Sequence, residues 1–481
     1  MQLIPRKKLL LIFLFTFIIK LSTCLYLSYL SNCSQSNEVT YTLAQRSGDA
    51  PSYLDPIDNF IEKGSYFYQD GTNITHFGRA PYYGSIYYFF RLFAPKNTAY
   101  DLVSLFQILM ESIAILYLSL LASKIIKHKY SFWITYILMM VSLNFTSYST
   151  YLLTESLSIS FLVIFSYYLC CYLHDYKNKN LFLAGIFLGL AVLLKPYFTI
   201  LYIPIGIGFL LVKPFNILSI VKKVIVIALP LIILSTPYTI RNLISYKRFL
   251  TNSELFAGTT YTKADFAYHD FVSSWGGSFM FWDKRSAGCY FQPQKGIDCN
   301  FQFPEYAIDG GYNMTDIENV RNQYIRYQHN PTPALEDSVT NEFSRLRGLF
   351  KKYHPLRYFV LSPLIIMRDY VFHSGSYYLP IRKDFPCYHS YQMIIKVSQS
   401  VLYYLTLFAG FSGLIILTLR NKKTYMNLFI PVFLLFLFPF VFKYAEFRYF
   451  APSHPFLVVG TSFILLLMWK KYLRNQHQHR K

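Results

Sequence analysis

Long apolar runs recur along the whole chain and constrain its fold more than any other feature. Each comes close to the ~20 residues that a helix needs to cross a bilayer. Only 15% of the residues are charged, against about 25% in soluble domains. The pattern predicts an all-α polytopic membrane protein with about ten transmembrane helices. The predicted spans are Leu9–Leu27, Asp101–Ser123, Ser131–Phe145, Leu152–Leu173, Leu181–Leu194, Tyr197–Val212, Val224–Ile240, Met393–Leu419, Met426–Phe442 and Pro452–Trp469.

The net charge of +21 indicates how the spans are oriented. Lysine and arginine cluster in the short loops after alternate spans, and basic loops face the cytoplasm. The first apolar run has no signal-peptide cleavage site, so it is interpreted as an uncleaved span. The positions of the basic loops then place the N-terminus in the cytoplasm. No soluble domain carries a basic patch, so we expect no nucleic-acid partner. No P-loop is present, so ATP-driven work is not expected.

The predicted spans divide the chain into five regions. Residues 1–30 form the first span and 31–100 an external loop, whose stretches at 53–68 and 80–95 are predicted to be interfacial helices. Residues 101–240 hold spans two to seven, 241–391 form a long external loop, and 392–481 hold spans eight to ten and a basic tail. The apolar stretch 354–378 is broken by proline and charge, so we interpret it as interfacial as well.

The cysteines fall into two groups. Cys24, Cys170 and Cys171 lie in predicted spans and are interpreted as core thiols. Four cysteines, an even number, lie in the predicted external loops, where an oxidising compartment permits one or two disulfides. A bond between Cys289 and Cys299 would close a short loop. These external cysteines are Cys33, Cys289, Cys299 and Cys387.

Polar residues gather where the predicted spans reach the external surface. Asp49 lies on a turn flanked by Gly48 and Pro51, just after the first span. Charges at helix ends often only anchor a span in the interface, but here both signs concentrate on one surface. Two deeper charges, Lys20 and Glu111, are predicted to form a structural ion pair, given the cost of a lone charge in the bilayer. The surface set comprises Asp49, Glu155, Lys195, Arg241, Glu446 and Arg448.

This surface set has a chemical logic. A cation cluster suits a phosphate group at the membrane surface, and a nearby carboxylate suits removal of a proton from an attacking hydroxyl. An enzyme acting outside the cell cannot use cytoplasmic nucleotide sugars. Its activated sugar would therefore be carried on a lipid, and a polyprenyl phosphate fits because its tail stays in the bilayer.

Several short motifs lie at the predicted span ends in a fixed order. They are Gly48-Asp49-Ala50 with Tyr53-Leu54, Gly78-Arg79-Ala80-Pro81-Tyr82-Tyr83, Thr154-Glu155, the segment Ala184 to Pro196, Pro237-Tyr238-Thr239-Ile240-Arg241-Asn242, and Arg448-Tyr449-Phe450-Ala451-Pro452. Together they resemble the GT-C superfamily of membrane glycosyltransferases. The resemblance is to the branch of lipopolysaccharide-core galacturonosyltransferases, related to the 4-amino-arabinose lipid A transferase and the protein O-mannosyltransferases. The single acidic residue at the first-loop turn and the short C-terminal region depart from the protein-modifying branches.

The resemblance implies a GT-C-like bundle and roles for the two carboxylates. Asp49 would be the general base that takes the proton from the acceptor hydroxyl, in one displacement that inverts the anomeric carbon. Glu155 would position the acceptor, orient Asp49 or help to hold a divalent ion. Whether a metal is needed is left open, since two carboxylates can hold Mg²⁺ or Mn²⁺ and cations alone can neutralise a phosphate.

The resemblance also implies roles for basic and aromatic residues. The cations would bind the donor phosphate and stabilise the leaving group, and two tyrosines would position the acceptor. The proposed phosphate-binding residues are Lys195, Arg241, Arg448 and Arg79, and the proposed positioning residues are Tyr53 and Tyr449.

The predicted function is transfer of a sugar from a polyprenyl-phosphate donor to a hydroxyl of a lipid-linked glycan. Lipopolysaccharide, lipid A or a related cell-envelope acceptor would be modified on the external face of a bacterial inner membrane. One alternative is a protein O-glycosyltransferase. Others are a transporter or flippase for a polyprenyl-linked intermediate and a structural or sensor protein. A transporter predicts midplane charges and internal repeats, whereas most charges here lie at one surface and no repeat is found.

Overall fold

The computed structural model describes residues 5–33, 42–70, 73–212, 217–252, 262–294, 296–309, 311–373, 375–376, 379–383 and 387–479. Of the described residues, 77% are helical. Within the described residues the strands β1 (Tyr68–Asp70) and β2 (Asn73–Thr75) form one antiparallel hairpin, with Gln69 opposite Ile74. The α-helices are α1 (Arg6–Asn32), α2 (Ala50–Lys63), α3 (Tyr82–Arg91), α4 (Lys96–Ile126), α5 (Ser131–Val141), α6 (Leu143–Thr146), α7 (Glu155–Asp175), α8 (Asn178–Leu194), α9 (Tyr202–Val212), α10 (Ile217–Tyr246), α11 (Lys263–Ser274), α12 (Ala287–Phe291), α13 (Met314–His329), α14 (Pro333–Tyr353), α15 (Ser362–Val371), α16 (Ser390–Arg420), α17 (Tyr425–Phe436) and α18 (His454–His479).

Seven helices of the described chain are long and apolar enough to cross a membrane. Three shorter apolar helices accompany them: Ser131–Val141, Asn178–Leu194 and Pro196–Leu210. Together they coincide with the predicted spans, and the prediction of an all-α polytopic membrane fold is confirmed. The seven are α1, α4, α7, α10, α16, the run Lys422–Phe442 that contains α17, and the run Phe447–Tyr472 that contains most of α18.

The third predicted span ends earlier than expected, and a buried cation explains why. Its helix stops at Val141 rather than Phe145. The Lys20 ammonium group donates to the carbonyls of Met139 at 3.0 Å and Ser142 at 3.4 Å. The last carbonyls of a helix need such partners, and a cation is favoured at that end of the helix dipole. Lys20 also lies 3.5 Å from the buried Glu111 carboxylate, which confirms the predicted ion pair.

The chain divides into two compact units. The first contains residues 1–258, 374–432 and 451–481. In it α7 packs against α4 and α8, α8 packs against α10, and α16 packs against α18. These contacts bury the apolar faces of α7 most completely.

The second unit is built from residues 259–373 and 433–450. Here α14 packs against α11 and α13 around a buried aromatic core that includes Tyr268, Phe271 and Phe343. Two of its helices begin with reciprocal capping boxes, in which the side chains at the N-cap and three residues later each accept from the other's backbone N–H. Such caps satisfy N–H groups that the first turn of a helix leaves without partners.

Helix α3 lies within the predicted stretch 80–95, whereas α2 begins three residues before the predicted stretch 53–68 and ends inside it. They pack closely because Gly84 has no side chain: a Cβ atom there would lie 2.7 Å from Ile57 Cγ1 and 3.0 Å from the Tyr53 carbonyl. The close approach brings the Tyr53 and Tyr83 rings together, with centroids 5.4 Å apart. This packing positions one side of the candidate site.

Candidate active site

Asp49 begins helix α2. It is the N-cap residue, with φ −84° and ψ −16°, and a proline follows in the first helical turn. Proline is favoured there because its missing N–H would have no helical partner. The Ser52 hydroxyl donates to the Asp49 carbonyl at 2.7 Å and fixes the turn. The aspartate is partly buried, and negative charge is favoured at the N-terminal end of a helix.

A backbone bridge ties the Asp49 loop to the segment that leads into α7. The Gln45 N–H donates to the Thr150 carbonyl at 2.7 Å, and the Leu152 N–H donates to the Gln45 carbonyl at 3.0 Å. These bonds make a parallel bridge between Gln45 and Tyr151. Asp49 lies four residues after one side of the bridge and Glu155 four residues after the other. Two carboxylates that are distant in sequence are therefore carried by segments joined by hydrogen bonds.

Glu155 forms a buried salt bridge with Lys195. The Lys195 Nζ atom lies 2.7 Å from Glu155 Oε1, and the side chains are 11% and 2% exposed. Glu155 is the first residue of α7, and Lys195 follows the last residue of α8. The two helices are antiparallel neighbours, so both charges reach the same end of the pair. Burial of each charge is offset by the other, because an unpaired charge in a low dielectric is costly.

Arg79 connects the α2–α3 packing to the Asp49 turn. Its Nε donates to the Ser52 hydroxyl at 3.2 Å, and its guanidinium lies 4.4 Å from the centroid of the Tyr53 ring. Tyr83, which contacts Tyr53, donates its hydroxyl to Gln107 at 3.1 Å. Burial raises the pKa of Tyr83, and the nearby Glu155 carboxylate raises it further. Tyr83 thus contacts Tyr53 of the helix that follows Asp49 and lies within electrostatic reach of Glu155.

Arg241 anchors the first loop to the end of α10. Its guanidinium donates to the backbone carbonyls of Tyr66 and His76, each at 2.9 Å, and to the Asn242 side chain at 2.7 Å. It also lies 4.7 Å from the centroid of the Tyr246 ring. In this arrangement Arg241 holds the backbone around the β1–β2 hairpin.

Arg448 and Tyr449 belong to the second unit and surround Glu446. Arg448 Nε lies 2.5 Å from Glu446 Oε2, and the Tyr449 hydroxyl donates to Glu446 Oε1 at 3.4 Å. Tyr444 donates to the same carboxylate. The ring of Tyr449 stacks on Phe438 with a centroid separation of 4.6 Å. The sequence pattern predicts Arg448 at the site but not its pairing with Glu446.

A polar cavity of about 550 Å³ beside α2 contains residues that the sequence analysis did not single out. Asp55, Asp58 and Glu62 line it at a spacing of three and four residues, which places them on one helix face. Burial raises the pKa of Asp55, while Lys96 and Arg46 oppose that effect. Asp58 is buried and lies 2.7 Å from Lys96 Nζ. The spacing within α2 was the available sequence signal for this cavity.

The described residues contain no group of three or more His, Cys, Asp and Glu side chains arranged to hold a metal. Magnesium and manganese prefer several oxygen ligands. One oxygen of Glu155 is already engaged by Lys195 at 2.7 Å. Among the described side chains, no set of three such ligands is therefore available to a metal ion.

Comparison with known proteins supports a class of enzyme. Residues 85–239 match the family model described as dolichyl-phosphate-mannose-protein mannosyltransferase. A comparison with curated proteins found no match. The matched region includes Glu155 and Lys195 and ends before Arg241, and Asp49 precedes it. The match and the apolar helices support a multi-pass membrane glycosyltransferase of the GT-C type.

Proposed function

We propose that the protein transfers a sugar from a polyprenyl-phosphate donor to a hydroxyl of a lipid-linked glycan on the external membrane face. The bridge between Gln45 and Tyr151 is the observation that carries this proposal, because it joins the Asp49 turn to the Glu155–Lys195 pair. The matched family description names a sugar carried on a lipid phosphate. A membrane-embedded chain with charges at one end of its helices fits a donor whose head group is polar and whose tail is apolar.

In the proposed reaction the acceptor hydroxyl oxygen attacks the anomeric carbon of the donor sugar. The bond between that carbon and the phosphate oxygen breaks, the polyprenyl phosphate leaves, and the hydroxyl proton passes to the Asp49 carboxylate. A single displacement inverts the anomeric configuration. Glu155 fixes Lys195, whose ammonium group has three N–H donors, so it can meet a phosphate oxygen while it remains paired.

The remaining cations have supporting roles in this proposal. Arg79 lies on the Ser52 side of the Asp49 turn, 3.2 Å from the serine hydroxyl, and is suited to the donor phosphate. Arg241 donates to two loop carbonyls. A loss of activity after its substitution could therefore come from a displaced loop as well as from weaker phosphate binding. Arg448 and Tyr449 are proposed to contribute to phosphate binding and acceptor positioning. Arginine suits phosphate because its planar fork can donate two hydrogen bonds at once.

An Asp49→Asn variant tests the base assignment. It retains the size of the side chain but cannot take a proton, so transfer should fall by about 10²–10⁴-fold. Purified polyprenyl-phosphate sugars would be offered one at a time to membranes that contain the protein, with membrane lipid extract as the acceptor. Asp283→Asn is the control, because Asp283 is an exposed carboxylate of the second unit. Undiminished transfer by Asp49→Asn at equal protein level would reject the assignment.

The matched family description favours one second candidate, a protein hydroxyl as acceptor. The same assay distinguishes the two if serine- and threonine-containing peptides replace the lipid extract. Labelled peptide without labelled lipid would support the protein-modifying alternative. Labelled lipid alone would support the lipid-linked glycan.

A further inference from the structure

The helical segment 355–371 of the second unit buries one face and exposes several large apolar side chains on another. It consists of a first turn, a π-helical stretch at Arg357–Leu361 and α15. One face, with Tyr358, Ser362 and Tyr370, is buried. The other exposes five large hydrophobic side chains, with Leu356 at 65% and Phe359 at 53% exposure. Proteins rarely expose contiguous apolar surface of this kind to water. The five are Leu356, Phe359, Val360, Leu361 and Leu364.

Contacts within the second unit fix this segment beside the end of a membrane-crossing helix. The candidate span Lys422–Phe442 ends one residue before Lys443. The Tyr370 hydroxyl donates to the Leu434 carbonyl at 3.2 Å, and the Tyr370 and Phe438 rings are 6.1 Å apart. Lys443 Nζ donates to the Tyr358 carbonyl at 2.6 Å. The segment therefore lies alongside the last turns of that candidate span, with Tyr358 next to its end.

Two ammonium groups flank the exposed ring of Phe359. Lys351 Nζ lies 5.3 Å and Lys443 Nζ 5.7 Å from its centroid. Burial lowers the pKa of Lys443 to about 7, Arg347 and Lys351 lower it further, and Asp270 opposes them. An anion between the two lysines would relieve this repulsion. Apolar side chains that carry cations at their edge are typical of helices in a membrane interface.

We infer that this surface inserts into the adjacent leaflet and binds the phosphate of an anionic phospholipid between Lys351 and Lys443. The basic interfacial face is defined as these two lysines together with the five exposed apolar residues. The apolar side chains enter the boundary between head groups and acyl chains, and the lysines remain at head-group level. The positive charge favours an anionic phospholipid over a zwitterionic one, since each lysine near an anionic surface contributes about a fivefold preference in binding. This role is separate from sugar transfer.

The insertion is tested with full-length protein in nanodiscs. Phe359→Trp adds one emitter to the four native tryptophans, and the wild-type signal is subtracted. Bromine atoms on the lipid chains should quench the added emission, and aqueous acrylamide should quench it little. Gln328→Trp, at an exposed position on α13, is the matched control and should behave in the opposite way. Acrylamide quenching of Phe359→Trp without bromine quenching would overturn the proposal.

The charge preference is tested with two lipid mixtures in the same discs. Brominated phosphatidylglycerol, diluted in unbrominated phosphatidylcholine, should quench Phe359→Trp more strongly than brominated phosphatidylcholine at the same fraction. Adding both Lys351→Gln and Lys443→Gln should reduce this preference by up to about 25-fold, since each lysine contributes about fivefold. The double control Lys263→Gln with Lys284→Gln, also in the second unit, should leave it unchanged. Equal quenching by the two lipids before substitution would overturn phospholipid binding, and so would an unchanged preference in the lysine variant.

Discussion

At the residue scale, the contact between Glu155 and Lys195 determines how both residues must be tested. Removing either one leaves a buried charge without its partner, so a loss of activity could follow from loss of folding alone. Replacing both by uncharged residues of similar volume removes that penalty. Single and double variants together therefore separate a structural role from a chemical one.

We expect Lys195→Met to lower the free energy of unfolding by about 3–5 kcal/mol. Adding Glu155→Gln should restore most of this stability but none of the transfer activity. Thermal unfolding in detergent measures the first effect, and the sugar-transfer assay the second. Arg345→Met is the control, since Arg345 pairs with Glu342 at the surface and should cost no more than about 1 kcal/mol. Recovery of transfer in the double variant would show that the pair is only structural.

Among the described residues of the first unit, sequence reasoning found the buried Lys20–Glu111 pair but not the Glu155–Lys195 pair. Lys20 and Glu111 lie deep in predicted spans, and the cost of a lone charge there requires a partner. Glu155 and Lys195 lie at span ends, where water can serve as the partner, so composition does not require them to pair. Their contact depends on how α7 and α8 align, which the hydrophobic pattern of either helix does not specify.

At the element scale, α16 and α18 approach each other through glycine. A methyl group at Gly413 would overlap the Gly460 carbonyl, and one at Gly460 would overlap the Gly410 carbonyl. Small residues at such crossings let two membrane helices pack backbone against backbone. Neither helix can move away without losing other contacts of the first unit.

Gly413→Ala and Gly460→Ala should each lower the free energy of unfolding by about 1–3 kcal/mol through overpacking. Gly206→Ala is the matched control, because its nearest neighbouring atom would be Val224 Cγ2 at 3.9 Å. It should be neutral or stabilising, since alanine favours a helix over glycine by up to ~1 kcal/mol. Retention of protein after graded heating of membranes would rank the variants. Equal stability of all three would contradict the close approach.

Helices were predicted where a strong apolar pattern exists and missed where the signal was shorter. Residues 241–391 were predicted to form a long external loop, but the structure has helices α11 to α15 within them, among them α11 and α13. Thr262 with Asp265 and Asn313 with Asp316 are visible capping pairs for these two helices. Their mean composition is polar, so a search for membrane spans passes over them.

At the scale of the whole molecule, two disulfides join the four cysteines that were predicted to be external. Cys33 pairs with Cys387 across 354 residues, and Cys289 pairs with Cys299. The sequence predicts one or two bonds, and the structure contains two. The long-range bond fastens the end of α1 to the segment before α16. Such bonds persist in oxidising compartments, so they also test the proposed orientation.

Cys33→Ser should leave Cys387 open to a membrane-impermeant maleimide reagent, which would label the variant but not the wild type. Labelling of intact cells, followed by a gel shift, measures this. Cys24→Ser is the control, because Cys24 is a buried thiol outside both bonds. Labelling of Cys387 in untreated wild-type protein would contradict the bond. Labelling of the variant only after lysis would place the loop on the other side of the membrane.

The positions of the apolar helices were predictable, but the make-up of the second unit was not. Apolar run length suffices for the helices because the thickness of the bilayer sets it. The inclusion of residues 433–450 depends on contacts such as that between Tyr370 and Leu434. No local pattern in either segment indicates the other.

The second unit is made of two pieces that are separated in sequence by α16 and the beginning of the following span. The order of synthesis therefore determines when this unit can fold. When a ribosome has delivered residue 373, the unit still lacks the turns that close against Tyr358 and Tyr370. Those turns are synthesised only with residues 433–450, after α16 has been inserted into the bilayer. A nascent chain halted before residue 433 should therefore hold this unit unfinished, and a fragment that ends at residue 373 is a poor choice for producing it alone.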